Sequence, residues 1–359
     1  MKGFSEALET QKNRSRSATK TSFGDWTVLN EGANSSFLGY DQLSCTTKIA
    51  KYRSATVKGK EVVQIVLVET PFYAESGGQV GDTGKLLVDG QEIQVVDTKK
   101  ENNEIIHFIS EMVKNISADV EASVNVSRRT DIKKNHSSTH LLHFALRSIL
   151  GAHVEQKGSL VSPDKLRFDF SHFERISEDQ IKEIETLVRD QIESQVELQE
   201  WRKMPINEAK EMGAMALFGE KYGNEVRVVK FGDSVELCGG IHVDSTSEIG
   251  GFKIISESSV ASGVRRVEAL TGRAYTTYIS NSIDLIEKIN DEMGRPKQLL
   301  ASIQKLQTDY KAAQKLIENF EQVEKSRLRD SLLNAIQVKG DRKMLIQLLE
   351  GIDGRAAKD

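Results

Sequence analysis

The sequence predicts an α+β protein in three parts: a small β-barrel-like domain, a mixed α+β domain, and a C-terminal helical hairpin or coiled coil. Residues 25–126 carry short runs rich in β-branched residues, which glycine-containing turns separate. Residues 127–272 mix such runs with long stretches of helical period. Residues 273–338 carry a heptad seam of apolar side chains. A chain of 359 residues is long enough for two or three domains.

The composition is that of an ordinary folded protein, with 38% hydrophobic residues, 28% charged residues and a formal net charge of −4. This mild acidity excludes a histone-like polycation but leaves room for a local basic groove. The longest apolar run, 62–68, is far shorter than the roughly 18 residues of a membrane span, so no membrane partner is expected. The two cysteines, Cys45 and Cys238, cannot form a disulfide framework, which favours a reducing, cytoplasmic location. Cys45 is predicted to be a small buried apolar residue.

The first domain, residues 25–126, is predicted to be built from strands. The segments 60–68 and 92–96 are rich in valine and isoleucine and are bounded by turn residues. Asp89-Gly90 predicts a tight hairpin turn. Because no convincing long helix is found here, we expect a small barrel or a curled sheet.

The second domain, residues 127–272, alternates helices and strands. Asp131 is predicted to cap a helix that runs to Leu150, with Gly151 just past its end. Ser177 is predicted to cap a second helix, 177–196, whose buried stripe has helical spacing. Further strands are predicted at 165–170, 225–231, 252–255 and 264–270.

The third part, residues 273–338, is predicted to be a helical hairpin in which the segment 274–293 packs against a heptad seam. Pro296 marks the start of the second helix. A helix packed on its own globule is the alternative interpretation. The seam consists of Leu299, Ile303, Leu306, Tyr310, Ala313, Ile317 and Phe320.

The two ends of the chain predict a piece of a longer polypeptide. Residues 1–24 form a lead-in, in which Phe4, Ala7 and Leu8 have the spacing of a short helix before a polar linker. Residues 339–359 are predicted to begin a further, truncated domain and include a helical run at 344–349.

The sharpest chemical signal is a pair of motifs, His136-Ser-Ser-Thr-His140 and Cys238-Gly-Gly-Ile-His242. On a helix, residues four apart face the same way, so both imidazoles of the first motif can reach one ion. The two glycines of the second motif permit a tight loop that turns Cys238 and His242 toward one point. Three imidazoles and one thiolate favour Zn²⁺. Four protein ligands are typical of a structural zinc, whereas a catalytic zinc needs an open position, and the spacing leaves both options open.

Six motifs resemble the editing half of bacterial alanyl-tRNA synthetases, and the resemblance runs from near Phe4 to the end of the chain. One position departs from the family pattern: Ile241 stands where that family usually has threonine, but this is not a ligand position. The motifs span residues 70–84, 135–140, 156–160, 167–172, 236–242 and 263–268.

The resemblance implies that residues 127–272 are a zinc-containing editing domain of the threonyl/alanyl-tRNA synthetase second additional domain type. It implies hydrolysis of the ester in tRNA(Ala) mischarged with serine or glycine, and His136, His140, Cys238 and His242 as zinc ligands. Such a site is chemically reasonable, since an alanine pocket cannot easily exclude glycine or serine during aminoacylation. No stretch resembling the class II core that activates alanine with ATP is recognised, so ligation is attributed to the whole enzyme.

The resemblance also suggests which residues form the substrate pocket. Thr139, Gln156 and Ser159 are candidates for recognising the serine hydroxyl. The backbone N–H groups of Gly77 and Gly78 are candidates for contacting the ester or the terminal ribose. Asp82 and Asp169 are options for a general base, which a metal-bound water would not require.

The predicted nucleic-acid partner is the 3′ end of tRNA(Ala). Basic residues cluster in sequence near the metal motifs and are candidates for phosphate contacts, although each pair alone is typical of a solvated surface. These candidates are Arg128, Arg129, Lys157, Arg167, Arg265 and Arg266.

Three alternatives stay open at this point. The chain could be a freestanding editing protein of the same superfamily, a tRNA-binding module with a purely structural zinc, or a coiled-coil scaffold. The heptad seam also allows self-association through the C-terminal helices.

Overall fold

The computed structural model describes residues 21–30, 35–57, 60–215 and 223–347. The helix predicted around Phe4 and Leu8 lies outside these residues. The chain divides into two compact units, Met1–Ile279 and Ser280–Asp359. Within the described residues, no helix is both long and apolar enough to cross a bilayer.

The amino-terminal part of the first unit is a nine-stranded antiparallel sheet, as the β-branched runs predict. The strand order is β1-β5-β6-β10-β9-β8-β11-β4, with β2 paired to β5, and a separate parallel pair joins β3 to β7. The strands are β1 Thr21–Phe23, β2 Thr27–Val28, β3 Ser36–Phe37, β4 Ser44–Thr47, β5 Ile49–Val57, β6 Lys60–Leu67, β7 Glu69–Thr70, β8 Gly84–Val88, β9 Gln91–Glu101, β10 Glu104–Ile109 and β11 Val120–Val124.

One apolar face of this sheet forms its core, in which Ile65, Phe72, Leu86 and Ile93 are fully buried. The predicted hairpin turn at Asp89-Gly90 is confirmed, because both residues have positive φ (48° and 80°) and the turn joins β8 to β9. Cys45, predicted to be buried, is only half-buried at the edge of this core.

Helix α1 (Val126–Leu150) follows β11 and begins earlier than the sequence predicts. The predicted cap at Asp131 is wrong, because the side chain of Asn125 accepts a hydrogen bond from the N–H of Arg128 and caps the helix there. The predicted end is confirmed, since Gly151 has a φ of 116° and donates its N–H to Arg147 O.

Two further sheets and three further helical segments complete the first unit. Helix α2 (Glu178–Glu193) has the predicted Ser177 cap, which forms a capping box with Gln180. Sheet β12-β13-β18-β17 consists of Gln156–Val161, Leu166–Ser171, Val264–Thr271 and Phe252–Ala261. Sheet β14-β15-β16 consists of Gln199–Pro205, Glu225–Phe231 and Ser234–Leu237. The remaining helical segments are α3 (Ile206–Glu211) and a 3-10 helix at Thr246–Ile249.

Helices α1 and α2 and the four-stranded sheet share one hydrophobic core. Leu142 of α1, Val188 of α2 and Phe168 of β13 are all fully buried in it. The strands predicted at 165–170, 225–231, 252–255 and 264–270 are confirmed to within a few residues, except that β17 extends to Ala261.

Helix α4 (Gly272–Glu292) leads from the first unit into the second, which contains α5 (Leu299–Asn334), β19 (Gln337–Lys339) and β20 (Arg342–Met344). The two predicted helices are present, and the seam side chains of α5, such as Tyr310 and Phe320, are exposed. The helical run predicted from Met344 is wrong within the described residues. Gly340, with a φ of 64°, turns the chain, and Met344 pairs with Gln337 across a β-hairpin.

A buried ion pair connects the nine-stranded sheet to α1. The guanidinium of Arg129 donates from Nε and Nη2 to the carboxylate of Asp82, which lies in the loop before β8. The remaining donors reach Gly39 O at 2.9 Å and Pro71 O at 2.8 Å. Both side chains are almost completely buried, so the pair and its hydrogen bonds must compensate for the loss of hydration.

Replacing Arg129 with methionine should lower the free energy of unfolding by about 3–5 kcal/mol, because Asp82 would remain as an uncompensated buried charge. Urea denaturation measures this change. The double variant Arg129→Met, Asp82→Leu should recover much of the loss, and Arg189→Met, on the exposed side of α2, should stay within about 0.5 kcal/mol of the wild type. A single variant as stable as the wild type would contradict the structural importance of this pair.

A buried histidine in β10 predicts a second effect on stability. Nδ1 of His107 faces Ile65 O at 3.3 Å and therefore carries the proton, while Nε2 lies 2.7 Å from Thr70 Oγ1 and accepts from that hydroxyl. Burial lowers the pKa of His107 from its usual 6.5 to about 4, because a charged imidazole would lose its hydration.

The unfolded chain takes up a proton on His107 near pH 6.5, whereas the folded protein does so only near pH 4. The free energy of unfolding should therefore fall as the pH falls through this window, by about 2 kcal/mol at about pH 5 relative to about pH 7.5. Urea denaturation of His107→Gln, compared with the wild type at both pH values, should show a pH dependence smaller by this amount. Identical pH dependences would rule out the contribution of His107.

Candidate metal centre

The two histidines predicted on one helix face are confirmed as neighbours. His136 and His140 lie one turn apart on α1, both are almost completely buried, and their ring centroids are 5.4 Å apart. The helix that carries them buries an unusual run of polar side chains from Asn135 to His140. Buried polar side chains are usually hydrogen-bonded or bind a ligand, so this stretch of α1 is a candidate binding site.

The second motif forms a loop directly after β16 and brings its ligands to the same point. Cys238 Sγ lies 3.4 Å from His136 Nε2 and 3.3 Å from His242 Nε2. The ring of His242 lies 4.4 Å from that of His136 and 4.5 Å from that of His140, centroid to centroid. One ligand atom from each of the four residues lies within 4.8 Å of the other three.

These distances fit a tetrahedral zinc. Zinc–nitrogen bonds of about 2.0 Å and zinc–sulfur bonds of about 2.3 Å place ligand nitrogen and sulfur atoms roughly 3.5 Å apart. The two measured sulfur–nitrogen distances agree with that separation. The four predicted ligands could therefore hold one zinc ion.

The histidines are electrostatically ready to bind a cation. Burial, followed by the charge on His140 and Arg227, holds the pKa of His136 well below its usual value. Burial is also the largest cause that lowers the pKa of His140 and His242. Neutral imidazoles have a lone pair for a metal, whereas protonated imidazoles do not.

Two of the three candidate ligand histidines have a polar neighbour at Nδ1, whereas Nδ1 of His140 is buried without a hydrogen-bond partner among the described residues. His136 Nδ1 lies 2.7 Å from Gln79 Oε1, and His242 Nδ1 lies 3.1 Å from Ser137 Oγ. These contacts leave both Nε2 atoms directed at the thiol. Such outer partners orient the imidazoles in metal sites.

Glu236, at the end of β16, is the carboxylate of the site. Its side chain is 4% exposed, its Oε1 accepts from His143 Nδ1 at 2.9 Å, and its Oε2 lies 3.6 Å from His140 Nε2. Burial tends to raise its pKa, but His140 and His143 outweigh burial and hold the pKa below its usual value. His143 therefore contacts this carboxylate and is not one of the four clustered ligands.

Arg227 of β15 fixes the loop that runs from Cys238 to His242, which we call the cysteine loop. Its Nη1 donates to Cys238 O and to Gly240 O, both at 2.8 Å, and its other donors reach Glu200. Tyr40 from the first domain stacks against the guanidinium at 4.4 Å and donates its hydroxyl to Gly239 O at 2.7 Å. The loop is thus fixed through its backbone carbonyls.

Gly240 has a steric reason to be glycine. A Cβ there would lie 1.9 Å from His136 Cε1, so any side chain would displace the imidazole or the loop. Of the Gly-Gly pair predicted to form a tight loop, Gly240 is therefore also a close packing contact, whereas a Cβ on Gly239 would meet no atom within 4 Å.

A cavity of about 260 Å³ is lined by three of the four candidate ligands, His136, His140 and Cys238. The predicted pocket residues Thr139, Gln156 and Ser159 line it, together with Gly77. Gly78 does not line it and packs instead on the backbone of Ser159. Tyr73, Arg227 and Glu236 are among the lining residues that the sequence did not indicate as part of the site.

Two of the missed residues lie in motifs that the sequence analysis had quoted, Tyr73 in 70–84 and Glu236 in 236–242. Arg227 had no sequence signal, because its role depends on backbone carbonyls of a loop. Asp82 and Asp169, considered as general bases, lie outside the cavity lining and are paired with Arg129 and Arg266 respectively.

The residues predicted to contact RNA have different environments. Arg129 is buried in its ion pair with Asp82, which argues against a phosphate contact. Arg128 donates to Gly81 O, Arg265 pairs with Glu257, and Arg266 forms two hydrogen bonds with Asp169. Lys157 pairs with Glu155, and Arg167 lies 3.8 Å from Asp169. RNA contacts by these residues other than Arg129 remain predictions.

Comparison with known protein families gives two matches. Residues 1–131 match the family described as tRNA synthetases class II (A), and residues 226–268 match the threonyl and alanyl tRNA synthetase second additional domain. The first match therefore relates residues 1–131 to class II synthetases, although no class II catalytic core was recognised there from the sequence. The second match includes Cys238 and His242.

Several curated proteins are similar to nearly all of this chain. An alanine–tRNA ligase of Parabacteroides distasonis is 47% identical over 330 residues, which are 92% of this chain and 38% of that protein. The enzyme of Flavobacterium psychrophilum is 47% identical over 93% of this chain and 39% of its own length. That of Porphyromonas gingivalis is 45% identical over 99% of this chain and 41% of its own length. The chain thus spans about two fifths of the length of these relatives.

The metal centre can be tested with Co²⁺ as a spectroscopic substitute for zinc. The metal-free protein should bind one equivalent and develop a thiolate-to-cobalt charge-transfer band, because Cys238 supplies sulfur to the site. Cys238→Ser should abolish the band, whereas the matched control Cys45→Ser should retain it, since Cys45 lies in the other core. A band that survives Cys238→Ser, or that vanishes in Cys45→Ser, would contradict this assignment.

Proposed function

Because this chain belongs to the alanine–tRNA ligase family, we propose that it provides the editing activity of such an enzyme. The substrate is tRNA(Ala) that carries serine or glycine, and the reaction is hydrolysis of the ester at its 3′ end. Activation of alanine with ATP and its ligation to tRNA(Ala) are proposed for the whole enzyme.

One observation carries this proposal. Three of the four clustered candidate ligands, His136, His140 and Cys238, line a cavity that Gly77, Thr139, Gln156 and Ser159 also line. These last four residues come from separate stretches of the chain, and the family resemblance independently implies a substrate role for each of them. A purely structural zinc would not need a cavity beside it.

His136, His140, Cys238 and His242 would hold the zinc ion, which would supply a positive charge near the ester. The protein's own contribution is placement. Gly77, with a φ of 57°, sits on a tight turn at the cavity wall, so its backbone can approach a bound ribose closely. Tyr73, whose hydroxyl donates to Ser76 O, closes the same wall.

Selection of serine over alanine follows from hydrogen bonding by Thr139. Its hydroxyl donates to Asn135 O at 2.8 Å, which leaves the oxygen of Thr139 as an acceptor toward the cavity. A serine hydroxyl can donate to that oxygen, whereas an alanine methyl cannot. Gln156 and Ser159 supply further polar contacts. A buried polar group that alanine leaves unpaired disfavours alanyl-tRNA.

The finer features of the fold belong to the same proposal. We assign a barrel-like shape to the nine-stranded sheet, a hairpin or coiled coil to α4 and α5, and self-association to the exposed α5 seam. Lys157, Arg167, Arg265 and Arg266 are proposed to contact the tRNA backbone. A cytoplasmic location agrees with this substrate.

A second function, binding of tRNA around a purely structural zinc, is favoured by the ligand count. Four protein ligands close a tetrahedral shell and leave no position for water. In that case the cavity would hold the aminoacylated end without cleaving it.

Incubation of the zinc-loaded chain with seryl-tRNA(Ala) should release serine well above the rate in buffer and leave alanyl-tRNA(Ala) intact. Cys238→Ala should lower the rate at least about 100-fold, the scale of losing one catalytic contribution, while Cys45→Ala should not change it. Release is followed with radiolabelled serine. Binding of the tRNA without release of serine would reject the hydrolase and favour the binding module.

A further inference from the structure

We propose that Gln79 is a positioning residue of the metal centre: its amide oxygen fixes the tautomer of His136 and the position of the cysteine loop. The first domain, which contributes none of the four ligands, thereby completes the site. This inference depends on metal binding by the four candidate ligands and not on the hydrolysis proposed above.

The hydrogen bonds of Gln79 determine which atom of His136 can bind a cation. Gln79 Oε1 lies 2.9 Å from the backbone N of Ile241, which can only donate, so this atom of the amide is the oxygen. The same oxygen lies 2.7 Å from His136 Nδ1, which must therefore carry a proton to bond with it. The lone pair of His136 is then on Nε2, the nitrogen 3.4 Å from Cys238 Sγ.

Gln79 connects the two halves of the centre although it belongs to neither. His136 lies on α1, and Ile241 lies in the loop between Cys238 and His242. The side chain of Gln79 is fully buried where these two parts meet. A displacement of the amide would therefore affect one ligand directly and two others through their loop.

The backbone of Gln79 is held in place from two directions. Ser76 and Gln79 exchange both backbone hydrogen bonds, at 3.1 and 3.0 Å, across the Gly77-Gly78 turn. Val161 of β12 donates to Gly78 O at 2.7 Å and accepts from Val80 N at 3.1 Å. The turn is thus fixed to the sheet of the second domain, and the amide has little freedom to shift.

Close packing and hydrogen bonding both indicate that the amide oxygen of Gln79 is the atom that acts on the site. A Cβ on Gly240 would lie 2.9 Å from Gln79 Oε1, so loop, imidazole and amide are in close contact. Gln79 Nε2, in contrast, is buried without a hydrogen-bond partner among the described residues. A buried amide NH₂ group without a partner is unfavourable, and an apolar side chain at this position would avoid that cost. The contacts of the amide oxygen therefore explain why residue 79 is a glutamine.

Gln79→Leu should weaken zinc binding about 10- to 100-fold, the usual effect of losing an outer partner of a metal-bound histidine. The measurement is competition with a chromophoric zinc chelator, using the full chain without tRNA. Gln94→Leu, an exposed glutamine on β9, is the matched control and should bind zinc as the wild type does. Unchanged affinity in a folded Gln79→Leu variant would overturn the proposal.

Gln79→Glu separates positioning from simple space filling. A carboxylate can accept from both His136 Nδ1 and Ile241 N, so zinc affinity should recover to within about threefold of the wild type. Affinity as low as that of Gln79→Leu would contradict the role assigned to the oxygen.

A third measurement needs no variant and remains informative if Gln79→Leu does not fold. Long-range ¹⁵N–¹H correlation spectra of the zinc-loaded wild type should show the His136 proton on Nδ1 and the metal on Nε2. A proton on Nε2 would overturn the proposal. Since none of these readouts involves tRNA, failure of the proposed editing reaction would leave them unaffected.

Discussion

The site depends on one constraint: a polar stretch of α1 is buried, and hydrogen bonds to other parts of the chain compensate for much of its lost hydration. Asn135 illustrates how this is met, since its amide donates to Ser162 O at 2.8 Å and accepts from Thr271 Oγ1 at 2.7 Å. Ser137 contacts His242 Nδ1 and accepts from Val243 N. These contacts fix the rotation of the helix about its axis. Because that rotation determines where the imidazoles of His136 and His140 point, the metal centre follows from hydrogen bonding along the whole helix.

Local signals in the sequence predicted the local structure. The hairpin turn at Asp89-Gly90 and the cap at Ser177 depend on neighbouring residues only, and both are present. The start of α1 was placed wrongly because Asn125 and Asp131 are both good caps, and only the tertiary burial of Arg129 requires the earlier turn to be helical. The run at Met344 was interpreted as helical because its apolar content carries no information about pairing with Gln337.

The candidate site was predicted only in part, because its ligand motifs are local in sequence and its other contacts are not. His136 and His140 on one side, and Cys238 and His242 on the other, reveal themselves by residue type and spacing, so the ligand cluster could be predicted. The contacts of Gln79 join residues 57 and 162 positions apart and depend on how two domains meet. Neither periodicity nor residue spacing in a single sequence predicts such long-range contacts. The same applies to Arg227, whose partners are backbone carbonyls that any loop would offer.

The 76–82 loop carries two side chains that reach out of its own domain. Gln79 contacts the metal centre, and Asp82, three residues later, fixes Arg129 at the base of the helix. A transplant of residues 127–272 onto another scaffold would lose two contacts of α1. These are the ion pair of Arg129 with Asp82 and the hydrogen bond of His136 with Gln79. The boundary predicted near residue 126 therefore does not separate the candidate site from the residues before it, and Met1–Ile279 form one compact unit. A graft that is meant to keep the metal centre intact has to bring this short loop with it.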